Sequence, residues 1–260
     1  MRLKRYAAPK IWKIARKEHV WTVRPKPGPH PANRSRPLSL ILRDVLKFAD
    51  TAKEAKKIIK SGKILVDKRV IKEPAFPVGL MDILEIPDAK KAFRVEISKK
   101  GLEFVEIPIN TSEKICRIEG KTTVKGGLMQ LNLHDGRNIL VKDPKAYRVF
   151  DSVLIQLPDQ KILAHYRLEE GATVRIISGK NAGLKGIVEE IKRRKTMLEK
   201  STVKLRTELG MVETPLEYVM VEASKKEEKK KEKKKEVKKK GKGEKEEKKR
   251  VRKAFTRQDI

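Results

Sequence analysis

Cysteine is almost missing from this sequence: Cys116 stands alone among 260 residues. A single thiol makes no internal disulfide and cannot build a zinc site by itself, and this fits a reducing compartment such as the cytoplasm. Aromatic residues are also scarce, at 5% of the chain, so its cores must be small and aliphatic. Long apolar runs are lacking; nowhere do roughly eighteen apolar residues follow one another, which excludes a bilayer-spanning helix. The basic N-terminus has no apolar stretch of the kind a secretory signal needs, so none is expected. The last shortage is acidic charge: 35 Asp and Glu face 65 Lys and Arg, a formal net charge of +30. An excess of that size is the footprint of a polyanion-binding chain, nucleic acid foremost.

The charge is concentrated at the two ends. Residues 225–253 carry 18 basic and 7 acidic side chains. With almost no apolar residues to offset the entropy of ordering, this tail is expected to be a solvated, low-complexity appendage. Residues 1–37 carry 11 basic side chains and one acid, Glu18. The cations are mixed with Tyr6, Trp12 and Trp21, and then enter RPKPGPHPANRSRP, where the prolines forbid a regular helix. Such a segment reads as an extended arm on RNA. Arg2, Lys4, Arg5, Lys10, Lys13, Arg16, Lys17, Arg24, Lys26, Arg34 and Arg36 are its phosphate contacts. Each Trp either stacks on bases or packs on the next domain, and packing is the favoured reading.

Residues 38–48 place apolar side chains at Leu38, Ile41, Leu42, Val45 and Leu46, the stripe of an amphipathic helix. Thr51 and Glu54 form a T-x-x-E capping box for a second helix, with Ala52, Ala55, Ile58 and Ile59 inward and Gly62 at its end. Lys53, Lys56, Lys57 and Lys60 share its polar face at spacings of three and four. A short hairpin follows, Ile64–Val66 and Arg69–Ile71, with Asp67-Lys68 at the turn.

This run, LRDVLKFADTAKEAKKIIKSGKILVDKRVIKEPAFPVGLMDILEI, resembles the RNA-binding module named after small-subunit ribosomal protein four. The matching pieces are Phe48-Ala49, Thr51, Glu54-Ala55-Lys56, Ile58-Ile59 and the strand from Ile64 to Val66. That family usually has Asn-Gly where this chain has Asp67-Lys68, a less favourable hairpin turn. The resemblance implies an RNA face made of Arg43, Lys47, Lys53, Lys56, Lys57, Lys60, Lys63, Lys68 and Arg69. Without it, these would read equally well as solvated helix charges.

From Ala92 the apolar period becomes two. FRVEIS, EFVEIPI, KICRIEG and LMQLNL alternate between turn signals at Gly126-Gly127, Asp135-Gly136 and Asp143-Pro144, which predicts an antiparallel sheet or small barrel. His134-Asp135 reads as turn chemistry, since no nucleophile pattern accompanies it. Gly179, Gly183 and Gly186 fail the phosphate-loop spacing because Leu184 stands where a lysine is needed. The segment EEGATVRIISGKNAGLKGIVEEI instead resembles the KOW motif, a strand–turn–strand within a small β-barrel. The resemblance makes Lys180, Asn181 and Lys185 RNA-contact candidates, with Gly183 suited to positive φ or close approach to a phosphate.

Together the order of parts resembles the small-subunit ribosomal protein four family of the archaeal and eukaryotic type. LKRYAAPKIW, GPHP, HDGRNILVKDP and LPDQKILAHYRLEEG carry the likeness, which extends to about residue 222. The expected fold class is α+β and multidomain. Its parts are a basic arm (1–37), a helix-turn-helix and small-sheet RNA module (38–91), a β-rich centre (92–168), a KOW-type barrel (169–223) and a Lys-rich tail (224–260). The implied function is a structural, non-enzymatic constituent of the small ribosomal subunit, in the cytoplasm. Its partners are small-subunit rRNA and neighbouring ribosomal proteins. No catalytic residue, metal, cofactor, small-molecule substrate, membrane or homo-oligomer is expected. Two rivals remain, an RNA-modification enzyme and a transcription-associated KOW factor.

Overall fold

The computed structural model describes residues 2–143, 145–194, 196 and 198–223; the expected Lys-rich tail lies outside the described residues. The described chain is mostly β, with α-helix and π-helix confined to its first third.

The arm is more structured than its composition predicts. Strands β1 (Arg2–Lys4) and β2 (Trp21–Val23) pair antiparallel. Trp12 is fully buried with Ala8 and Leu40, and its indole N–H donates to the Ser35 carbonyl at 2.5 Å. The packing reading therefore holds for Trp12, whereas Trp21 is half exposed. The Pro-rich stretch leads into β3 (Arg36–Pro37).

The expected first helix is shorter and less regular than its stripe suggests. Helix α1 (Leu38–Leu40) runs directly into a π-helical turn over Ile41–Val45. Leu38, Leu40, Ile41 and Leu42 are all buried, and such closely spaced positions do not fit on one narrow α-helical face. A π turn widens the helix and redistributes them, at the cost of poorer hydrogen bonding. The predicted helix pair thus resolves into one short irregular helix and one regular one, α2 (Ala52–Lys60).

The start of α2 is as its sequence dictates. The Glu54 N–H donates to Thr51 Oγ1 and the Glu54 carboxylate accepts from the Thr51 N–H, both at 3.2 Å. Ala55 and Ile59 point inward, Ala52 is exposed in the first turn, and Gly62 ends the segment at φ +77°.

Five antiparallel strands support the helices: β4 (Leu65–Val66), β5 (Arg69–Val70), β7 (Ile83–Ile86), β8 (Lys91–Ser98) and β9 (Gly101–Ile107), in the order β5-β4-β7-β8-β9. The small strand β6 (Pro77–Val78) pairs with β3. The expected division at residues 91–92 falls inside β8, after its first residue, and β8 pairs with β7 from Ile86–Lys91 to Ile83–Arg94. Leu38, Ile41, Leu42, Ile59, Ile64, Leu84, Val95 and Leu102 form the shared core.

The central sheet has the order β12-β11-β10-β13-β14. Its strands are β10 (Glu113–Thr123), β11 (Met129–Leu133), β12 (Asn138–Val141), β13 (Ser152–Gln156) and β14 (Lys161–Tyr166). β10 serves both halves, pairing with β13 through Glu113–Arg117 and with β11 through Ile118–Thr123, across a bulge between Ile118 and Gly120.

The last sheet comprises β15 (Thr173–Ile176), β16 (Lys185–Lys192), β17 (Thr202–Thr207), β18 (Gly210–Pro215) and β19 (Val219–Ala223), ordered β18-β17-β16-β15-β19. Among the described residues its pairing leaves β18 and β19 as edges, so the expected barrel is an open five-stranded sheet over its own aliphatic core.

Candidate nucleic-acid interface

Helix α2 turns Lys53, Lys56, Lys57 and Lys60 to solvent as a consequence of burying Ala55 and Ile59 on the opposite side. The Pro-rich arm runs beside this face, held by the bond from the Lys26 N–H to the Ala75 carbonyl at 2.9 Å. Between them lies a groove of about 1250 Å³, lined by Arg24, Lys26, Arg43, Lys56, Lys60 and Lys72, with one acid, Glu73. The structure therefore brings cations from the arm and from the helical module to a common groove. Lys72 joins them although the sequence did not single it out; its position after the β5 strand was the available signal.

The remaining candidates divide by burial. Lys4, Lys10, Lys17, Lys47, Arg69 and Lys180 are exposed, as are Arg24 and the four α2 lysines. Others are exposed or half-buried but engaged. Lys13 pairs with Glu103 at 2.8 Å, Lys26 with Glu73 at 2.6 Å, Lys63 with Asp88 at 2.7 Å and Arg34 with Glu119 at 3.9 Å. Arg43 lies on Asp44 at 2.6 Å, Lys185 on Glu222 at 3.2 Å, and Arg16 donates to the Tyr6 carbonyl at 2.8 Å. Pairs this close to water contribute little, so a phosphate can compete for their cations. Arg2 is placed by its backbone on β1.

Two candidates are interior groups. Arg5 is buried and donates to the Ala15 carbonyl at 2.6 Å. Arg36 is buried with its guanidinium on the Ile11 carbonyl at 3.0 Å, and burial pulls its pKa down to about 10. Both bind the arm to itself. Lys68 is half-buried on Glu85 at 2.5 Å and on the Ile109 carbonyl at 3.1 Å.

In the KOW segment, Gly183 has φ +89°, as positive φ was expected there. Its close approach is to protein: a Cβ would stand 2.7 Å from the Ser98 Cα and 2.9 Å from the Ile97 carbonyl oxygen. The glycine thus seats the turn against the end of β8. The carbonyl of half-buried Asn181 accepts from the Leu184 N–H at 3.3 Å. Next to this turn, a second groove of about 690 Å³ is lined by Lys10, Arg34, Lys99, Lys100 and Arg117. Lys99 and Lys100 sit at the β8–β9 turn and were not among the expected contacts.

Beneath these surfaces lies a buried ionic network invisible in the linear sequence. Lys114 on β10 is enclosed by three carboxylates: Asp82 at 2.6 Å, Asp67 at 2.7 Å and Asp135 at 3.0 Å. Arg137 adds contacts to Asp67 at 2.8 Å and Asp135 at 3.3 Å, and His30 of the arm meets Asp82 at 3.0 Å. Burial opposes the Lys114 charge, but the carboxylates outweigh it and hold the ammonium well above its usual range. Burial likewise opposes ionisation of Asp82, and Lys114 with His30 outweighs it, holding this carboxyl low. For Asp67, burial and the neighbouring Asp82 charge win, and its carboxyl is pushed up.

This network also accounts for the unusual hairpin turn. Asp67 and Lys68 both take positive φ, 51° and 65°, the geometry for which Asn-Gly is suited. Aspartate is useful there because its carboxylate accepts from the Ile83 N–H at 2.9 Å as well as from Lys114 and Arg137. Cys116, His134 and Asp135 place donor atoms within 4.8 Å of one another, a combination capable of holding a metal. The Lys114 ammonium already stands on Asp135, and burial pushes the Cys116 thiol well up, so it stays protonated. The chemistry of this site is that of an ion-pair network.

Four family models match in the order of these parts. They are the RS4NT (NUC023) domain over residues 1–33, the S4 domain over 36–84, Ribosomal family S4e over 89–162 and the KOW motif over 170–205. The small ribosomal subunit protein eS4 of Methanocaldococcus jannaschii is 50% identical over 199 residues, covering 74% of this chain and 82% of that protein. The protein of the same name from Aeropyrum pernix is 46% identical over 233 residues, covering 85% and 90%. The crystal structure of the 30S ribosomal protein S4e from Thermoplasma acidophilum superposes with a TM-score of 0.64 at 27% identity, covering 74% of this chain and 97% of that one. With half of the aligned residues identical over 82% of a curated relative's length, the chain belongs to the small ribosomal subunit protein eS4 family.

Proposed function

We propose that this chain is a non-enzymatic structural constituent of the small ribosomal subunit. It braces rRNA through several basic surfaces set at fixed spacings, beside neighbouring ribosomal proteins. The observation that carries this reading is the arm–α2 groove, where cations from two segments converge around a single carboxylate, Glu73. A second basic groove beside the KOW turn gives the same molecule another RNA surface. Helical RNA is read by its shape, phosphates and 2′-hydroxyls, so two cationic surfaces on one packed chain suit folded RNA. The cytoplasmic ribosome is the corresponding location.

Sedimentation of a lysate through sucrose, with and without a high-salt wash, tests the assignment. Co-migration with the small subunit through the wash is expected. Migration with RNA polymerase would instead favour the transcription-associated reading, and loss of one modified nucleoside in a depleted strain would favour the enzyme. Replacing Lys53, Lys56, Lys57 and Lys60 by Gln is expected to weaken rRNA binding and flatten its salt dependence. Every phosphate on duplex RNA that is no longer neutralised changes the logarithmic slope by roughly 0.9 if the duplex DNA value carries over. An unchanged slope would mean that these lysines are solvated charges only.

A further inference from the structure

We propose that the outer face of the β1–β2 ribbon is a binding site for an unpaired RNA nucleotide, its base on the Trp21 indole and its phosphate on Lys4. This rests on the RNA-binding reading above and adds which form of RNA the arm takes. In the antiparallel register Leu3 lies opposite Thr22 and Lys4 opposite Trp21. Thr22 is buried and Leu3 packs against the small core of Trp12 and Leu40, so that pair faces inward. Side chains alternate along a strand, which turns Lys4 and Trp21 outward together. Directly opposed residues stand with Cβ atoms about 5 Å apart, close enough for one nucleotide to touch both.

The two tryptophans of the chain have opposite environments. Trp12 is fully buried, while Trp21 is 50% exposed beside Val20 at 66%, and Tyr6 just beyond β1 is 70% exposed. An exposed indole and phenol on a segment with one acid among residues 1–37 do not suit an acidic partner of ordinary protein composition as well as a polyanion with an aromatic face. Exposed Lys17 on the connecting loop and Arg24 immediately after β2 extend the cationic border. A duplex keeps its base faces stacked within itself, whereas an unpaired nucleotide offers a π-face and a phosphate at once.

The full chain carries its own reporter, since Trp12 is shielded and a ligand at the ribbon changes the emission of Trp21. Titration with a short single-stranded oligouridylate is expected to quench that emission. Trp21→Ala is expected to lower affinity for the oligouridylate about tenfold, the effect of losing one stacked base. It leaves binding of a blunt RNA duplex and the thermal midpoint unchanged, and Trp21→Phe retains most of the affinity. Lys4→Gln is expected to reduce the salt slope for the single strand by roughly 0.7. The proposal is overturned if the wild-type chain binds the duplex but the oligouridylate leaves Trp21 emission unaltered, or if Trp21→Ala binds the single strand as tightly as wild type. Binding of neither RNA by the wild-type chain would overturn the RNA-binding reading itself, and this site with it.

Discussion

The Lys114 ammonium on the central sheet stands 2.6 Å from the Asp82 carboxylate of the helical module, with both side chains almost wholly buried. Asp82 also bonds His30 of the arm and accepts from the Gly79 N–H at 2.8 Å. One lysine therefore joins, directly or through Asp82, three segments that are distant in sequence.

Lys114→Met would leave Asp67, Asp82 and Asp135 without their shared cation. Breaking a buried pair by deleting one partner costs about 3–5 kcal/mol, because the remaining charges stay desolvated. A matching fall in the urea midpoint is expected, together with faster proteolysis of the Pro-rich arm around His30. A loss below about 1 kcal/mol would mean that the network adds little to stability.

Acidification should destabilise the chain through His134. Burial, and then the Lys114 charge, lowers its pKa from 6.5 to about 4. Its Nδ1 accepts from the Arg117 N–H at 3.2 Å and its Nε2 faces the Leu80 carbonyl at 3.2 Å, an arrangement that suits the neutral ring. Between pH 6.5 and 4 the unfolded chain thus binds a proton that the folded chain does not. The stabilising effect is complete above pH 6.5 and disappears as pH falls through 4, by at most about 3 kcal/mol at 1.36 kcal/mol per unit. Urea unfolding across this range should show a shallower pH dependence in His134→Asn; parallel curves would remove His134 as the cause.

Two glycines with the same backbone angle should respond differently to alanine. Gly126 and Gly183 both have φ +89°, but a Cβ on Gly126 meets nothing within 4 Å. Gly126→Ala is expected to cost about 1–2 kcal/mol for left-handed backbone alone. Gly183→Ala must also displace the Ser98 backbone, adding about 1–3 kcal/mol of overpacking. Thermal or urea unfolding of the two variants side by side tests the difference, and equal losses would contradict the seating of the KOW turn on β8.

Thr51→Ala removes the hydroxyl that accepts from the Glu54 N–H at the start of α2. A loss of about 1 kcal/mol is expected, as for other N-caps. Faster hydrogen exchange of the first α2 amides would locate the effect; uniform exchange would not.

Much of this organisation is local and was legible in the chain. The T-x-x-E box at Thr51 and Glu54 specified the start of α2 because its bonds span three residues. Period-two alternation located β8 and β9 of the first large sheet and β10 and β11 of the central one, since pleating alone puts successive side chains on opposite faces. The segregation of charge marked the basic segments and, with the motif order, the family.

Burial of individual cations was not legible. Arg5 and Arg36 look like Lys4 and Arg34 in the sequence, yet the first two are interior and the last two reach solvent. The difference lies in which distant carbonyls surround each guanidinium. His30, Asp67, Asp82, Lys114, Asp135 and Arg137 carry no shared spacing, and only the packing of three segments brings them together. By itself the sequence determined charge, period and turn chemistry, which act over a few residues; the tertiary structure alone decided which charges leave water, because desolvation and its compensation depend on partners far along the chain.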